Sequence, residues 1–102
     1  GGTVTNSFVS TVSLVAQSPA VVTDITVGSG SPPIPAATDG AHLALVIVQD
    51  ATGGNEITFN ASYFGLTNVE LDTTPDSTTL YVFRGIATKW VPIATQMRGI
   101  TI

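Results

Sequence analysis

Cysteine is absent from the 102 residues, charge is scarce, and no segment sustains a helical apolar period. Without cysteine there is no disulfide to hold a small fold, and nothing in the chain reports on an oxidising or reducing compartment. Charged residues make up 10% of the chain, against about 25% in an ordinary soluble domain, so the surface must be neutral and hydroxyl-rich. The only basic side chains are Arg84, Lys89 and Arg98, and the formal net charge is -4. Three cations cannot neutralise a run of phosphates, and the net sign repels nucleic acid and anionic membranes alike. The longest nearly unbroken apolar stretch, Leu43 to Val48, is far short of the ~18 to 20 residues a membrane-spanning helix needs, so no membrane insertion is expected. One histidine and no cysteine leave too few ligands for zinc.

What is present suits a single small domain covering residues 1–102. Scaling rules for this size give burial of roughly 64% of the unfolded surface. The apolar part of that contributes on the order of 150 kcal/mol, against an ordering cost of about 1.5 kcal/mol per residue, and the two nearly cancel. Small domains so placed commonly gain the missing few kcal/mol by associating with copies of themselves. The sequence opens on Gly1-Gly2 with neither an initiator Met nor a charged-then-apolar leader, which reads as a module excised from or appended to a longer chain.

Val, Ile and Thr dominate, and such β-branched residues favour a pleated surface. Thr3 to Val15 and Ala20 to Val27 are strand-like, separated by a turn at Ser18-Pro19. Gly28 to Gly40, with Pro32-Pro33-Ile34-Pro35 inside it, cannot hold a strand ladder and reads as a long loop, either functional or a proline-stiffened crossover between sheets. His42 to Gln49 is apolar on both faces, as expected of a central strand covered on both sides. Asp50-Ala51-Thr52-Gly53-Gly54-Asn55 supplies a hairpin turn built on Asp50, Gly53, Gly54 and Asn55, and Glu56 to Asn60 alternates as its return strand. Ser62 to Leu71, Thr78 to Arg84, Lys89 to Ile93 and Arg98 to Ile102 bring the expectation to about eight short strands. Gly and Pro punctuation at such intervals predicts an all-β fold, an antiparallel β-sandwich or jelly roll.

Reactive groups are few. A nucleophile needs a base beside it, and the sole histidine, His42, opens the most apolar strand, where it reads as a structural strand-end residue rather than a ligand or base. Asp50 with Glu56, or Asp72 with Asp76, could in principle converge for acid-base work, but any chain with seven acids offers such pairs, and Asp72 to Asp76, which could hold calcium through oxygens, reads instead as a solvated turn. Gly53-Gly54 lacks the Lys and Ser/Thr of a phosphate-binding loop. Asn60-Ala61-Ser62 matches the N-glycosylation pattern. No catalytic residue, metal or cofactor is expected. Tyr63, Phe64 and Trp90 are the candidate ligand-binding residues, rings able to stack on a sugar face, although Trp90, between Lys89 and Val91-Pro92, reads first as buried at the sheet end.

The run Val46 to Phe59, containing Gln49-Asp50-Ala51-Thr52-Gly53-Gly54, followed by Leu80-Tyr81-Val82-Phe83 and Lys89-Trp90, resembles a module of bacteriophage tail fibre and tailspike proteins. That module has an apolar strand ending in such a hairpin turn, a Thr/Phe return strand, and an aromatic strand that turns through glycine into Trp. Its usual Asp-Gly or Asn-Gly turn before Trp is replaced here by Gly85 to Lys89. The resemblance implies a virion appendage on the tail or capsid exterior, commonly a homotrimer, that contacts a host-surface glycan. The expected function is a non-catalytic virion structural module. The alternatives are a carbohydrate-binding module of a secreted bacterial enzyme and a capsid decoration protein.

Overall fold

β-Branched residues carry the chain into strands wherever they alternate with small polar ones, and prolines and glycines end each run. The computed structural model describes residues 6–66 and 71–97. These contain six strands and no helix: β1 (Ser7–Leu14), β2 (Thr23–Ile25), β3 (His42–Gln49), β4 (Ile57–Phe59), β5 (Thr78–Ile86) and β6 (Lys89–Met97). A four-stranded sheet has the order β1-β3-β5-β6, and a two-stranded sheet pairs β2 with β4.

The expected central strand is there. β3 lies between β1 and β5, with Ala44 paired to Val9 on one side and to Val82 on the other. Leu43, Leu45 and Ile47 face the core, whereas Ala44, Val46 and Val48 are half-buried on the opposite face. Only one side of β3 is therefore packed into the core.

Three expectations change. The described strands number six rather than about eight: Ser62 to Leu71 contributes only an isolated bridge from Phe64 to Trp90 among its described residues, and Arg98 to Ile102 lies outside them. The sheets are not purely antiparallel, since β1 pairs with β3, and β2 with β4, in parallel. The segment Asp50 to Asn55 is not a hairpin. Both edges of β3 are already taken by β1 and β5, so the chain leaves the large sheet at Gln49 and β4 pairs with β2 in the small one.

The sheets share one core, because Phe59 of β4 reaches the large sheet, 5.4 Å from the Tyr81 ring and 5.5 Å from Phe83. Phe64 completes the aromatic cluster at 4.8 Å from Phe59 and 5.4 Å from Phe83. Offset and edge-on pairs of this kind add about 0.5–1.5 kcal/mol each beyond their burial.

The long loop from Gly28 to Gly40 is tied down at both ends. Thr11 and Ser31 exchange backbone hydrogen bonds at 3.2 and 2.9 Å, and the Ser10 hydroxyl donates to the Pro32 carbonyl. Ile34 is buried in the core. Gly40 donates to the Gly85 carbonyl at 2.9 Å, and a Cβ on Gly85 would run into the Thr38 carbonyl. The segment links β2 of one sheet to β3 of the other, the crossover that its prolines suggested.

β5 and β6 are joined by a two-residue turn, Ala87-Thr88, with Ile86 opposite Lys89. Ala87 has φ 55, a left-handed value that an Asn or Gly would accept more readily. The Asp39 carboxylate accepts the Ala87 amide at 3.2 Å and helps to hold this turn.

Candidate functional site

The acidic turn after β3 is built around one carboxylate. Asp50 Oδ1 accepts from the amides of Thr52 (3.1 Å) and Gly53 (2.9 Å) and from Asn55 Nδ2 (3.2 Å). Its Oδ2 accepts the Ala16 amide at 2.7 Å, joining the turn to the end of β1. These donors hold the Asp50 carboxyl below its ordinary range, the Ala16 amide contributing most and Gly53 next, against a smaller opposing effect of desolvation. The buried Gln49 clamps the far side: its Oε1 accepts from Asn55 N (3.2 Å) and Nδ2 (3.0 Å), and its Nε2 donates to the Asn55 carbonyl (2.9 Å).

Gly53 and Gly54 have φ 67 and 74 and are not interchangeable. A Cβ on Gly53 would lie 2.5 Å from the Thr73 carbonyl oxygen and 2.7 Å from Pro75 N, whereas one on Gly54 would meet nothing within 4 Å. Gly54 donates to the Thr73 carbonyl at 2.8 Å and Asp76 donates to the Asp50 carbonyl at 2.9 Å, so two turns brace each other. Asp72 closes its own turn by accepting the Thr74 amide at 3.0 Å. The Asp50 carboxylate is held by its own turn and by Ala16, just beyond β1, which makes the turn an architectural joint.

The aromatic candidates separate. Asn60 opens a tight turn in which its carbonyl accepts from both Tyr63 and Phe64 at 3.0 Å, and its Oδ1 accepts the Ser62 amide at 2.9 Å. That turn sends consecutive side chains in opposite directions: Phe64 is 1% exposed, whereas Tyr63 keeps 39% of its surface. Trp90 is 0% exposed, and its indole Nε1 donates to the Pro35 carbonyl at 3.0 Å. The Trp90 backbone binds the same turn, donating to Tyr63 O and accepting from Gly65 N, both at 2.8 Å. The structure therefore brings the three residues together but leaves Tyr63 alone with a ring at the surface. The faces of Phe64 and Trp90 are occupied by the core, because a ring beside a bridged backbone with its polar atom satisfied has no reason to face water.

The turn that carries Tyr63 is tied to polar groups that composition alone did not single out. Lys89 Nζ donates to the Ala61 carbonyl at 2.8 Å. The Asp24 carboxylate accepts from Thr58 Oγ1 and Asn60 Nδ2, both at 3.2 Å, across the parallel β2–β4 pair. Asp24 and Thr58 are in register there, a relation visible only once the pairing is known.

His42 and Asp50 sit at opposite ends of β3, about 26 Å apart at ~3.3 Å per residue, so the one histidine does not share a cleft with the acidic turn. Among the described residues no group of three or more His, Cys, Asp or Glu side chains is gathered as a metal site would require.

Residues 17–87 match the family model described as "Putative phage tail fibre C-terminal domain". No curated protein and no solved structure matches the chain.

Proposed function

The chain belongs to the phage tail fibre C-terminal domain family, a structural component of the virion tail, and from that membership we propose that it is a non-catalytic fibre module that assembles as a homotrimer and contacts a host-surface glycan. The match over residues 17–87 is the observation that carries this reading. It takes in β2 to β5 and ends in the β5–β6 turn, leaving β1 and β6 outside it. In the same proposal the module is carried by a longer fibre chain, and its two sheets stack as a β-sandwich, in keeping with the contact of Phe59 with Tyr81 and Phe83.

Two features support a structural role. The polar turns spend their hydrogen-bonding groups on the fold itself, as Asp50 and Gln49 do. The neutral surface suits close packing against other protein, with little charge to desolvate. For glycan contact the candidate is Tyr63, flanked by Asn60, Ser62 and Lys89. An aromatic face for the sugar ring and nearby amide and ammonium groups for its hydroxyls are what such recognition needs. A carbohydrate-binding module that stacks sugars on three rings is less well supported, since two of those rings are internal.

Gold-labelled antibody against the folded chain, imaged on the parent phage, should decorate the tail; labelling of the capsid shell would instead favour a decoration protein. Light scattering coupled to size exclusion should give three times the 10.5 kDa of one chain, and a mass of one chain at all concentrations would remove the trimer. Fluorescently labelled chain should bind host cells, and Tyr63→Ala should abolish that binding with its circular dichroism unchanged. Undiminished binding by the variant would clear Tyr63 of the role.

A further inference from the structure

We infer that the end of the four-stranded sheet beside the Tyr63 turn binds an anionic sugar, one that carries a carboxylate or a phosphate, and that Arg84 receives its charge. This rests on the glycan-contact reading above and adds to it the chemical class of the glycan.

The sheet carries opposite charge at its two ends. Ser7 of β1, His42 of β3 and Arg84 of β5 share one row of the register, and all three are exposed. His42 and Arg84 stand directly opposite each other, with Cβ atoms about 4.5–5.5 Å apart. Arg84 pairs with Val91 on its other side, which makes the exposed Lys89 its diagonal neighbour at about 7–8 Å. Asp50, Glu56, Asp72 and Asp76 gather instead beyond Gln49, where Asp76 donates to the Asp50 carbonyl and Gln49 holds Asn55 next to Glu56. The length of β3, about 26 Å, separates the two groups. That is about three Debye lengths at physiological salt, so the acids that set the net charge of -4 do not cancel the field of the cations.

The remaining described acids, Asp24 and Asp39, are engaged by the chain itself. Asp24 accepts from Thr58 and Asn60, and Asp39 accepts the Ala87 amide. The loop of Asp39 also reaches β5 from the core side: a Cβ on Gly85 would strike the Thr38 carbonyl, and Gly85 shares its side of β5 with the buried Tyr81 and Phe83. Arg84 projects from the opposite side. Among the described residues neither Arg84 nor His42 has a side-chain hydrogen bond or an ion pair. Arg84 therefore presents a full fork of N–H donors, the group that matches the two oxygens of a carboxylate or phosphate.

The rest of this end suits a sugar. The turn that carries Tyr63 runs along β6 here, with Trp90 donating to Tyr63 O and Lys89 Nζ held at the Ala61 carbonyl. Ser7 and His42 offer a hydroxyl and an imidazole to sugar hydroxyls. From β1 to β6 the row spans about 14 Å, and the Tyr63 turn extends it, which is room for a short oligosaccharide. Two cations cannot neutralise the run of phosphates on a nucleic acid, but one guanidinium meets the single charge of an acidic sugar.

The test compares retention of the full chain on polygalacturonate, which carries carboxylates, on a phosphorylated mannan, and on neutral dextran. Wild type should be retained on at least one anionic matrix and not on dextran, and retention should fall as salt rises from about 0.05 to about 0.5 M. Which anionic matrix retains it tells carboxylate from phosphate. Arg84→Gln should weaken that binding about ten-fold or more, with unchanged circular dichroism. Ser13→Glu alters the net charge by the same amount but lies about 20 Å from Ser7 along β1, and should bind as wild type does. Retention on neither anionic matrix, equal retention on dextran, indifference to salt, or equal losses in Arg84→Gln and Ser13→Glu would each overturn the proposal. If Arg84→Gln fails to fold, the matrix comparison and the salt series on wild type decide. Host-cell binding that is lost in Tyr63→Ala but kept in Arg84→Gln would overturn the anionic class and leave glycan contact standing. A wild-type chain that binds neither cells nor any of the three matrices would remove both.

Discussion

Gly53 and Gly54 offer a two-variant experiment in which the backbone conformation is nearly the same and the surroundings differ. Both lie in the left-handed region, at φ 67 and φ 74. An alanine there costs about 1–2 kcal/mol of backbone strain, reduced by about 0.4–1 kcal/mol because alanine also restricts the unfolded chain. Gly54→Ala, with open space around its new methyl group, should therefore lose about 0.5–1 kcal/mol. Gly53→Ala carries the same strain and must also push against the Thr73 carbonyl at 2.5 Å and Pro75 N at 2.7 Å. Those neighbours are backbone of a turn braced through Asp76 N to Asp50 O, so they yield poorly. Overpacking of this kind adds about 1–3 kcal/mol, for a total of about 2–4 kcal/mol. The buried Trp90, the single tryptophan, reports unfolding by fluorescence. With a urea slope of about 1.5 kcal/mol/M, the midpoint should fall by about 0.5 M for Gly54→Ala and about 2 M for Gly53→Ala. Gly54→Asn should fall less than Gly54→Ala, because Asn tolerates the left-handed region. Equal shifts for the two alanine variants, or a larger one for Gly54→Ala, would refute the reasoning.

Trp90→Phe should cost about 2–3 kcal/mol, through lost volume and a Pro35 carbonyl left without its indole donor, measured by urea unfolding followed by circular dichroism. Ala87→Gly should stabilise the chain by about 0.5 kcal/mol and raise the thermal midpoint by about 2–4 °C, because it relieves a φ of 55 in the β5–β6 turn; an unchanged or lower midpoint counts against strain there. The Asp50 carboxyl lies below its ordinary value of 3.8 in the folded chain, so its contribution is present in full above that pH and is lost as pH falls through the lower folded value. Asp50→Asn should accordingly be less stable than wild type at neutral pH, with the gap closing below pH 3.8 in an acid titration of stability.

Much of the scaffold was legible because its signals are local. The apolar run His42 to Gln49 stood out as a central strand by composition, and β3 occupies that place between β1 and β5. Pro32 to Pro35 announced a segment outside any ladder, and it is the crossover between the sheets. The polar turn chemistry of Asp50, Gly53 and Asn55 was also readable, since an aspartate that accepts amides two and three residues ahead needs no distant partner. What that turn connects was not readable. The same residues serve a hairpin or a change of sheet, and occupancy of both edges of β3 by β1 and β5 decided between them.

The sequence by itself determined an all-β chain, a neutral surface poor in reactive groups, and the position of its most apolar strand. These follow from side-chain shape and charge, which act over a few residues. Only the tertiary structure decided that two strand pairs run parallel, that Phe64 and Trp90 are enclosed while Tyr63 faces outward, and that Asp24 meets Thr58 and Asn60. Most of those outcomes depend on partners more than 25 positions away in the chain, such as Pro35 for Trp90 at a separation of 55, which no local preference encodes.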